Sequence, residues 1–75
     1  MIEIWSKPQC PFCDKAENLC KQKNFGYKKY MLDVDFTREQ MFEKFPSART
    51  FPQITVNGEL VGGYTEFEAK VRSEE

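Results

Sequence analysis

The chain begins with alternating apolar and polar residues, and its apolar residues then recur at the intervals typical of an α-helix. Residues Ile2–Ser6 alternate and predict a first β-strand. Apolar residues then recur at the spacing of one helix face, at Phe12, Cys13, Ala16, Leu19 and Cys20. Pro11 suits the first helical position, because the N–H that proline lacks would have no partner there. Asn24 and Gly26 predict the end of this helix.

The middle of the chain predicts a second strand and a second helix. Residues 27–32 form the strand-like run. Thr37, followed three residues later by Gln40, is a capping box, in which each side chain satisfies a backbone N–H of the other residue. The apolar face expected of the helix that starts there comprises Met41, Phe42 and Phe45. Pro46 is expected to end it, since proline cannot continue a helix.

A hairpin and a last helix complete the pattern. Residues 53–56 and 59–61 are short strand-like runs joined by Asn57-Gly58, the dipeptide most typical of a two-residue hairpin turn. Gly62-Gly63 interrupts the pattern. Thr65 is the predicted N-cap of a helix that runs to about Arg72. The predicted element order is therefore β-α-β-α-β-β-α.

This order predicts an α/β fold with a mixed sheet. The first two strands are joined through a helix, so we expect them to pair in parallel with a right-handed crossover. The hairpin adds an antiparallel pair. Together they predict a four-stranded mixed sheet flanked by helices. Because the 75 residues show no linker and no repeat, we predict one domain over residues 1–75.

Composition and charge argue against several classes of partner. The chain has 11 basic and 12 acidic residues, a net charge of −1, which gives no support to nucleic-acid or anionic-membrane binding. No run approaches the roughly 20 apolar residues of a membrane span. The N-terminus lacks the long apolar region of a signal peptide. We therefore expect a cytoplasmic protein, and we expect it to be a monomer.

Cys10 and Cys13 carry the most informative chemistry. Their Cys-X-X-Cys spacing beside a βαβ pattern is typical of a thioredoxin-like redox motif. Cys10 is expected at the N-terminus of the first helix, where unpaired N–H groups and the helix dipole favour the reactive thiolate. The alternatives are buried structural thiols or half of a zinc site. Zinc usually takes four ligands, and the chain offers no histidine and only Cys20 besides, so we predict no metal.

Cys20 is the third cysteine, seven residues after Cys13 on the same expected helix face. Free cysteine is often buried as a small hydrophobic residue. We therefore expect core packing for Cys20, with a regulatory thiol as the alternative.

Three separated motifs resemble those of the glutaredoxins, a family of small thioredoxin-fold proteins. Cys10-Pro11-Phe12-Cys13 resembles the family's Cys-Pro-Tyr-Cys site. Thr50-Phe51-Pro52-Gln53-Ile54 resembles its Thr-Val-Pro-Gln-Ile segment, and Gly62-Gly63-Tyr64-Thr65-Glu66 resembles its Gly-Gly-X-X-Asp turn. Their order and spacing match along essentially the whole chain. The departures are Phe12 for tyrosine, Phe51 for valine and Glu66 for aspartate.

The resemblance implies a glutathione site beside the two thiols. Pro52 would be a cis-proline, and the backbone of Phe51 would pair with the cysteine part of glutathione like a short added strand. Lys7, Arg49 and Gln9 would meet the glycine carboxylate. Thr65 and Glu66 would hold the γ-glutamyl end. Phe12 and Gly63 complete the expected glutathione-binding set.

The resemblance also implies a glutathione-dependent disulfide oxidoreductase. Cys10 would attack a protein disulfide or a protein–glutathione mixed disulfide, and Cys13 would be needed only for the first. Glutathione would be the reducing co-substrate with no bound cofactor, and ribonucleotide reductase is a protein substrate suggested by the family alone. Three alternatives stay open. The first is an electron donor recycled by thioredoxin reductase, against which Lys7 and residues 62–66 argue. The second is an iron–sulfur cluster carrier, for which Pro11 is unfavourable by resemblance. The third is a non-catalytic interaction module of the same fold, against which the intact dithiol argues.

Overall fold

The computed structural model describes residues 1–46 and 50–73, which form four strands and three helices. The elements are β1 Ile2–Ser6, α1 Pro11–Gln22, β2 Tyr27–Met31, α2 Arg38–Lys44, β3 Gln53–Val56, β4 Glu59–Gly62 and α3 Tyr64–Ser73. The predicted order of elements is confirmed. The second strand ends one residue before the predicted position, and Leu32 forms an isolated bridge to Phe36 instead.

The sheet has the strand order β2-β1-β3-β4. Strand β1 pairs in parallel with β2, placing Ile4 opposite Lys29, and antiparallel with β3, placing Ile4 opposite Ile54. Strands β3 and β4 are antiparallel and joined by Asn57-Gly58, whose φ values of 54° and 85° are those that a two-residue hairpin turn requires. The predicted mixed sheet is thus confirmed. The central strand β1 leads directly into the segment that carries the two thiols.

Buried hydrophobic residues form two clusters, one on each face of the sheet. Under α1 and α3 lie Ile2, Ile4, Ala16, Cys20, Ile54, Phe67 and Val71. Under α2 lie Leu32, Phe36, Met41 and Phe45, with Trp5, Tyr30 and Phe51 packed against them. The separation follows from the pleat of β1, since Ile4 and Trp5 point to opposite faces. None of the helices in these described ranges has the length and apolarity needed to cross a membrane.

Local signals set the helix ends. The Gln40 N–H donates to Thr37 Oγ1 at 3.2 Å and the Thr37 N–H donates to Gln40 Oε1 at 2.9 Å, so the predicted capping box is present. After α1, Asn24 takes φ 58°, and the Phe25 N–H donates to the Cys20 carbonyl at 2.9 Å. This left-handed residue terminates α1 as the sequence predicts.

Two phenylalanines predicted on buried helix faces are in fact half exposed. Phe12 is 51% exposed and Phe42 is 49% exposed. The buried side of α1 is narrower than predicted and consists of Cys13, Ala16 and Cys20. This spacing of three and four residues follows one line along the helix, and Phe12 lies to its side.

Helix α3 begins before the residue predicted to cap it. Its first residue is Tyr64, so Thr65 lies inside the first turn and is not the N-cap. The Phe67 N–H donates to the Gly63 carbonyl at 3.0 Å, which places Gly63 at the cap position. The Glu66 carboxylate then accepts the Gly63 N–H at 3.1 Å. That contact is one half of a capping box, and it explains why the helix starts where it does.

Candidate active site

Cys10 is the N-cap residue of α1. Its backbone is extended, with φ −115° and ψ 101°, and Pro11 is the first residue of the helix, as predicted. The Cys13 N–H donates to Cys10 Sγ at 3.3 Å and to the Cys10 carbonyl at 3.1 Å. The sulfur thus occupies the place of the side-chain oxygen that usually caps a helix. The helix start therefore presents a backbone donor directly to this sulfur.

The two thiols differ in access. Both are free, Cys10 with 7% of its surface exposed and Cys13 with 1%. The pKa of the Cys13 thiol is raised to about 11, first by burial and then by its hydrogen bond to Cys10. The neighbouring Lys7 backbone and Ser6 side chain act in the opposite direction and lower it. At neutral pH Cys13 is therefore a protonated, enclosed thiol, while Cys10 is also buried but is the more exposed of the two.

A cleft of about 240 Å³ lies beside Phe12, one of the two residues between the thiols. It is lined by Phe12, Thr50, Phe51, Pro52, Gly63, Tyr64, Thr65 and Glu66. The Phe51–Pro52 peptide bond is cis, as predicted. The cleft therefore brings together the start of α1, the approach to β3 and the start of α3. Six of the predicted glutathione-binding residues meet there: Phe12, Phe51, Pro52, Gly63, Thr65 and Glu66.

Gly63 lines this cleft and lies close to Glu66 and Pro52. A Cβ added to Gly63 would lie 3.3 Å from Glu66 Oε2 and 3.5 Å from the Pro52 carbonyl oxygen. The neighbouring Gly62 has φ 125°, a conformation that other residues rarely adopt. Gly63 therefore lies against the Pro52 segment, and both glycines lie against the Glu66 side chain. The Glu66 carboxylate, predicted to contact glutathione, also has a structural role as the acceptor of the Gly63 N–H.

The three predicted contacts to the glycine carboxylate are not all part of this cleft. Lys7 Nζ lies 5.9 Å from the centroid of the Phe51 ring, so the ammonium group lies near the edge of the cleft. Gln9 is exposed, has φ 56° and is not among the lining residues. Arg49 falls outside the described residues. Of the two described residues, Lys7 is the one whose position connects it to Phe51.

Sequence reasoning missed Thr50 and Tyr64 as lining residues, although both stand in the quoted motifs. The Tyr64 ring centroid lies 6.1 Å from that of Phe12, and the Tyr64 hydroxyl donates to Glu68 Oε2 at 2.6 Å. The Thr50 carbonyl accepts from Gln53 Nε2 at 2.7 Å, which fixes the turn before β3. Both residues are adjacent in sequence to motif residues that were predicted to bind glutathione, and this adjacency could have identified them.

The sheet order, together with a Cys-X-X-Cys that caps a helix, defines a dithiol protein of thioredoxin-like fold. The structure of Francisella tularensis glutaredoxin 1, determined with cacodylate, matches 97% of this chain and 93% of its own with a TM-score of 0.82 and 22% identity. The structure of a buckwheat glutaredoxin–glutathione complex matches 97% of this chain and 69% of its own, also with a TM-score of 0.82 and 22% identity. These likenesses establish the fold.

The sequence establishes the family. The glutaredoxin family model matches residues 2–61, and the chain belongs to the glutaredoxin family. The bovine mitochondrial glutaredoxin-2 is 35% identical over 68 residues, which are 87% of this chain and 43% of the bovine protein. The chain thus spans less than half of that relative. Membership of the family implies thiol–disulfide oxidoreductase activity, and the adjacent Cys10 and Cys13 fit a redox dithiol site.

Proposed function

We propose that this protein uses glutathione to reduce protein disulfides and protein–glutathione mixed disulfides through Cys10 and Cys13. The observation that carries the proposal is the cleft at Phe12, two residues after the helix-capping Cys10, in which the Phe51–Pro52 segment and the start of α3 face one space. A disulfide exchange site needs a reactive sulfur at the surface and a surface that holds the partner sulfur beside it.

The shape and chemistry of the cleft support glutathione as the ligand. Sites that enclose their ligands usually measure about 300–1,000 Å³. A cleft of about 240 Å³ suits a short peptide that lies across the surface. Phe51 lines the cleft, and its backbone can pair with a peptide like an added strand. The N-terminus of α3 offers N–H groups to a carboxylate, and Lys7 offers a positive charge near Phe51. The buckwheat glutaredoxin complex supports the same ligand.

In the dithiol route, the Cys10 thiolate attacks one sulfur of a protein disulfide and forms a mixed disulfide. Cys13 then attacks Cys10, releasing the second protein thiol and leaving a Cys10–Cys13 bond. Two glutathione molecules reduce that bond and leave as glutathione disulfide. The enclosure of Cys13 supports this order of events, because an external disulfide reaches Cys10 more easily.

In the monothiol route, Cys10 takes the glutathionyl group from a glutathionylated protein. A second glutathione then removes it as glutathione disulfide. Cys13 takes no part in this route. Ribonucleotide reductase, as a protein substrate, stays a prediction from family resemblance.

A glutathione-coupled assay with hydroxyethyl disulfide tests this proposal on the wild type and on single cysteine variants. We expect Cys10→Ser to abolish activity, because its hydroxyl cannot form a disulfide. We expect Cys13→Ser to keep measurable removal of glutathione from a glutathionylated peptide. Equal loss in the two variants would contradict the two routes. Turnover with thioredoxin reductase but not with glutathione would overturn the choice of reductant.

A pair of lysine variants tests the glutathione cleft. Lys7→Gln removes the charge near Phe51, whereas Lys28→Gln removes an exposed charge on the edge strand β2. An exposed ion pair contributes up to about 1 kcal/mol, so we expect Lys7→Gln to raise the apparent KM for glutathione about two- to fivefold. We expect Lys28→Gln to leave it unchanged. Equal effects would mean that Lys7 acts only through overall charge.

A further inference from the structure

Tyr64 is the first residue of α3 and forms part of the wall of the cleft. Its ring centroid lies 6.1 Å from that of Phe12, which is 51% exposed. Aromatic rings attract one another at this separation. Lys15 Nζ lies 5.0 Å from the centroid of the same Phe12 ring, within the range of a cation–π contact. Of these two neighbours of Phe12, Tyr64 is the one that also lines the cleft.

The Tyr64 hydroxyl is bound by a carboxylate that does not line the cleft. It donates to Glu68 Oε2 at 2.6 Å, the length expected of a hydrogen bond from a hydroxyl to a charged oxygen. Arg72 Nη2 lies 3.6 Å from the same oxygen. Because the three residues follow one another at intervals of four, they lie in one line along α3. This line connects the cleft wall to the last turn of the helix.

Two kinds of contact determine the orientation of the Tyr64 ring. The ring packs against the apolar cluster under α1 and α3, a contact without a strict directional requirement. The bond to Glu68 is directional, since a hydrogen bond weakens steeply away from a straight geometry. It therefore favours one side-chain rotamer among those that packing allows. The ion pair with Arg72, whose side chain is 73% exposed, contributes little by itself.

We propose that Glu68 is a positioning residue for the cleft: its carboxylate holds the Tyr64 ring beside Phe12, in the orientation that receives a glutathionyl group next to Cys10. The inference deepens the proposed function and rests on it. A wall that is oriented before the ligand arrives loses less conformational entropy on binding. Glu68 acts through Tyr64 and does not itself contact the ligand.

Rotamer populations give the expected size of the effect. A side chain can occupy up to three χ1 rotamers, and the first residue of a helix has no preceding turn to exclude one of them. When the bond to Glu68 is lost, the fraction of Tyr64 in the competent rotamer falls to between about a half and a third. Apparent affinity falls in proportion to that fraction. Reaction with a glutathionylated peptide should therefore slow about two- to threefold.

The experiment compares two reactions of Cys10 in the reduced protein. In the first, Cys10 Sγ attacks the glutathione sulfur of a glutathionylated peptide and forms a new disulfide bond. The peptide sulfur leaves with the electron pair of the broken bond and takes up a proton. Rapid-quench mass spectrometry of the released peptide gives the rate constant of this reaction, which uses the cleft. Alkylation by iodoacetamide gives the reactivity of the same sulfur towards a small reagent that does not need the cleft.

Four variants and one control test the role of Glu68. The variants are Glu68→Ala, Glu68→Gln, Tyr64→Phe and the double variant Tyr64→Phe/Glu68→Ala. The matched control is Glu43→Ala, which removes an exposed carboxylate from α2 on the other face of the sheet. A thermal melt of each reduced protein gives its stability.

We expect Glu68→Ala and Tyr64→Phe each to slow peptide release about two- to threefold and to leave alkylation unchanged. The double variant should be no slower than either single variant, because both changes break the same bond. Glu68→Gln should keep most of the wild-type rate, since its amide oxygen can still accept from the hydroxyl. Glu43→Ala should match the wild type in both reactions.

An ultraviolet absorbance titration of tyrosine measures the bond itself. The hydrogen bond to Glu68, and then burial, raise the pKa of the Tyr64 hydroxyl. Subtracting the titration of the matching Tyr64→Phe protein isolates Tyr64 from Tyr27 and Tyr30. We expect Glu68→Ala to lower the pKa of Tyr64 and Glu43→Ala to leave it unchanged.

Several results would overturn the inference. Losses that add in the double variant would mean that Glu68 and Tyr64 act independently. Normal peptide release by Glu68→Ala would mean that packing alone orients the ring, and an unchanged pKa of Tyr64 in that variant would mean that the bond does not form. Equal slowing of both reactions would locate the effect at the sulfur or in the stability of the fold. A wild-type protein that is alkylated normally but takes no glutathionyl group would overturn the proposed function as well, which distinguishes the two failures.

Discussion

Replacing Cys20 with alanine should change the pH dependence of stability more than stability at neutral pH. Cys20 is 0% exposed and lies in the apolar cluster beneath α1 and α3. Burial, and then the charge of Glu17, raise the pKa of the Cys20 thiol from 9.0 to about 11. The folded chain therefore holds this proton more tightly than the unfolded chain does.

The two pKa values determine the size of the effect. Because the folded pKa is the higher one, the contribution of the thiol to the free energy of unfolding is complete below about pH 9 and is lost as the pH rises towards 11. One pKa unit corresponds to about 1.4 kcal/mol, so the loss reaches about 2 kcal/mol at pH 11. Alanine does not titrate, but it loses roughly 1 kcal/mol of packing at neutral pH. The two stability curves should therefore cross near about pH 10.

Urea unfolding followed by Trp5 fluorescence under reducing conditions measures both curves. Cys13 and the tyrosines also titrate at high pH, but they are present in both proteins, so the difference between the curves isolates Cys20. Cys20→Ser is the matched control. It does not titrate either, and its curve should run parallel to that of alanine but about 1–3 kcal/mol lower, because a hydroxyl is left without a partner in an apolar site. A wild-type curve that stays parallel to the alanine curve up to pH 11 would refute the reasoning.

Two further pairs of substitutions test local backbone signals by urea unfolding. Thr37→Ala should lower the free energy of unfolding by about 1 kcal/mol, because it removes the acceptor of the Gln40 N–H. Thr37→Ser should recover most of that loss. Equal losses in the two variants would contradict the capping explanation. Gly58→Ala should also lower the free energy of unfolding by about 1 kcal/mol, because Gly58 has φ 85°. An added Cβ would meet nothing within 4 Å, so the loss would come from the backbone conformation and not from a clash. Gly26 is equally unobstructed but lies outside the left-handed region, so Gly26→Ala should leave the free energy of unfolding unchanged or raise it slightly. A loss at Gly26 equal to that at Gly58 would rule out backbone conformation as the cause of the Gly58 effect.

Features determined by a few neighbouring residues were predictable from the sequence. Pro11 marks the first residue of α1, and Asn57-Gly58 takes the left-handed conformation expected of a hairpin turn. These features depend on local bonds and dihedral angles, so the rest of the fold does not alter them. The sheet topology was predictable for a related reason, because a helix between two strands requires a crossover and therefore a parallel pair.

The cleft was less predictable, because segments far apart in the sequence form it. The exposure of Phe12 depends on which side of α1 packs on the sheet. Helical periodicity alone assigns Phe12 to the buried face, whereas in the structure it lies beside that face. The start of α3 depends on the reach of the Glu66 carboxylate to the Gly63 N–H, which Gly62 makes possible through its φ of 125°. The lining residues that were predicted came from the resemblance to a family and not from periodicity.

The strand order also determines which backbone groups are available to other molecules. Strands β2 and β4 form the two edges of the sheet, and an open edge can template the addition of a strand from another chain. Strand β2 carries the exposed Lys28 on its edge, followed by Lys29, whose ammonium group pairs with Glu17 at 3.4 Å. Strand β4 is four residues long and begins at Glu59, and its pairing with β3 shifts register between Ile54 and Thr55. Charge protects one edge from aggregation, and short length with irregular pairing protects the other.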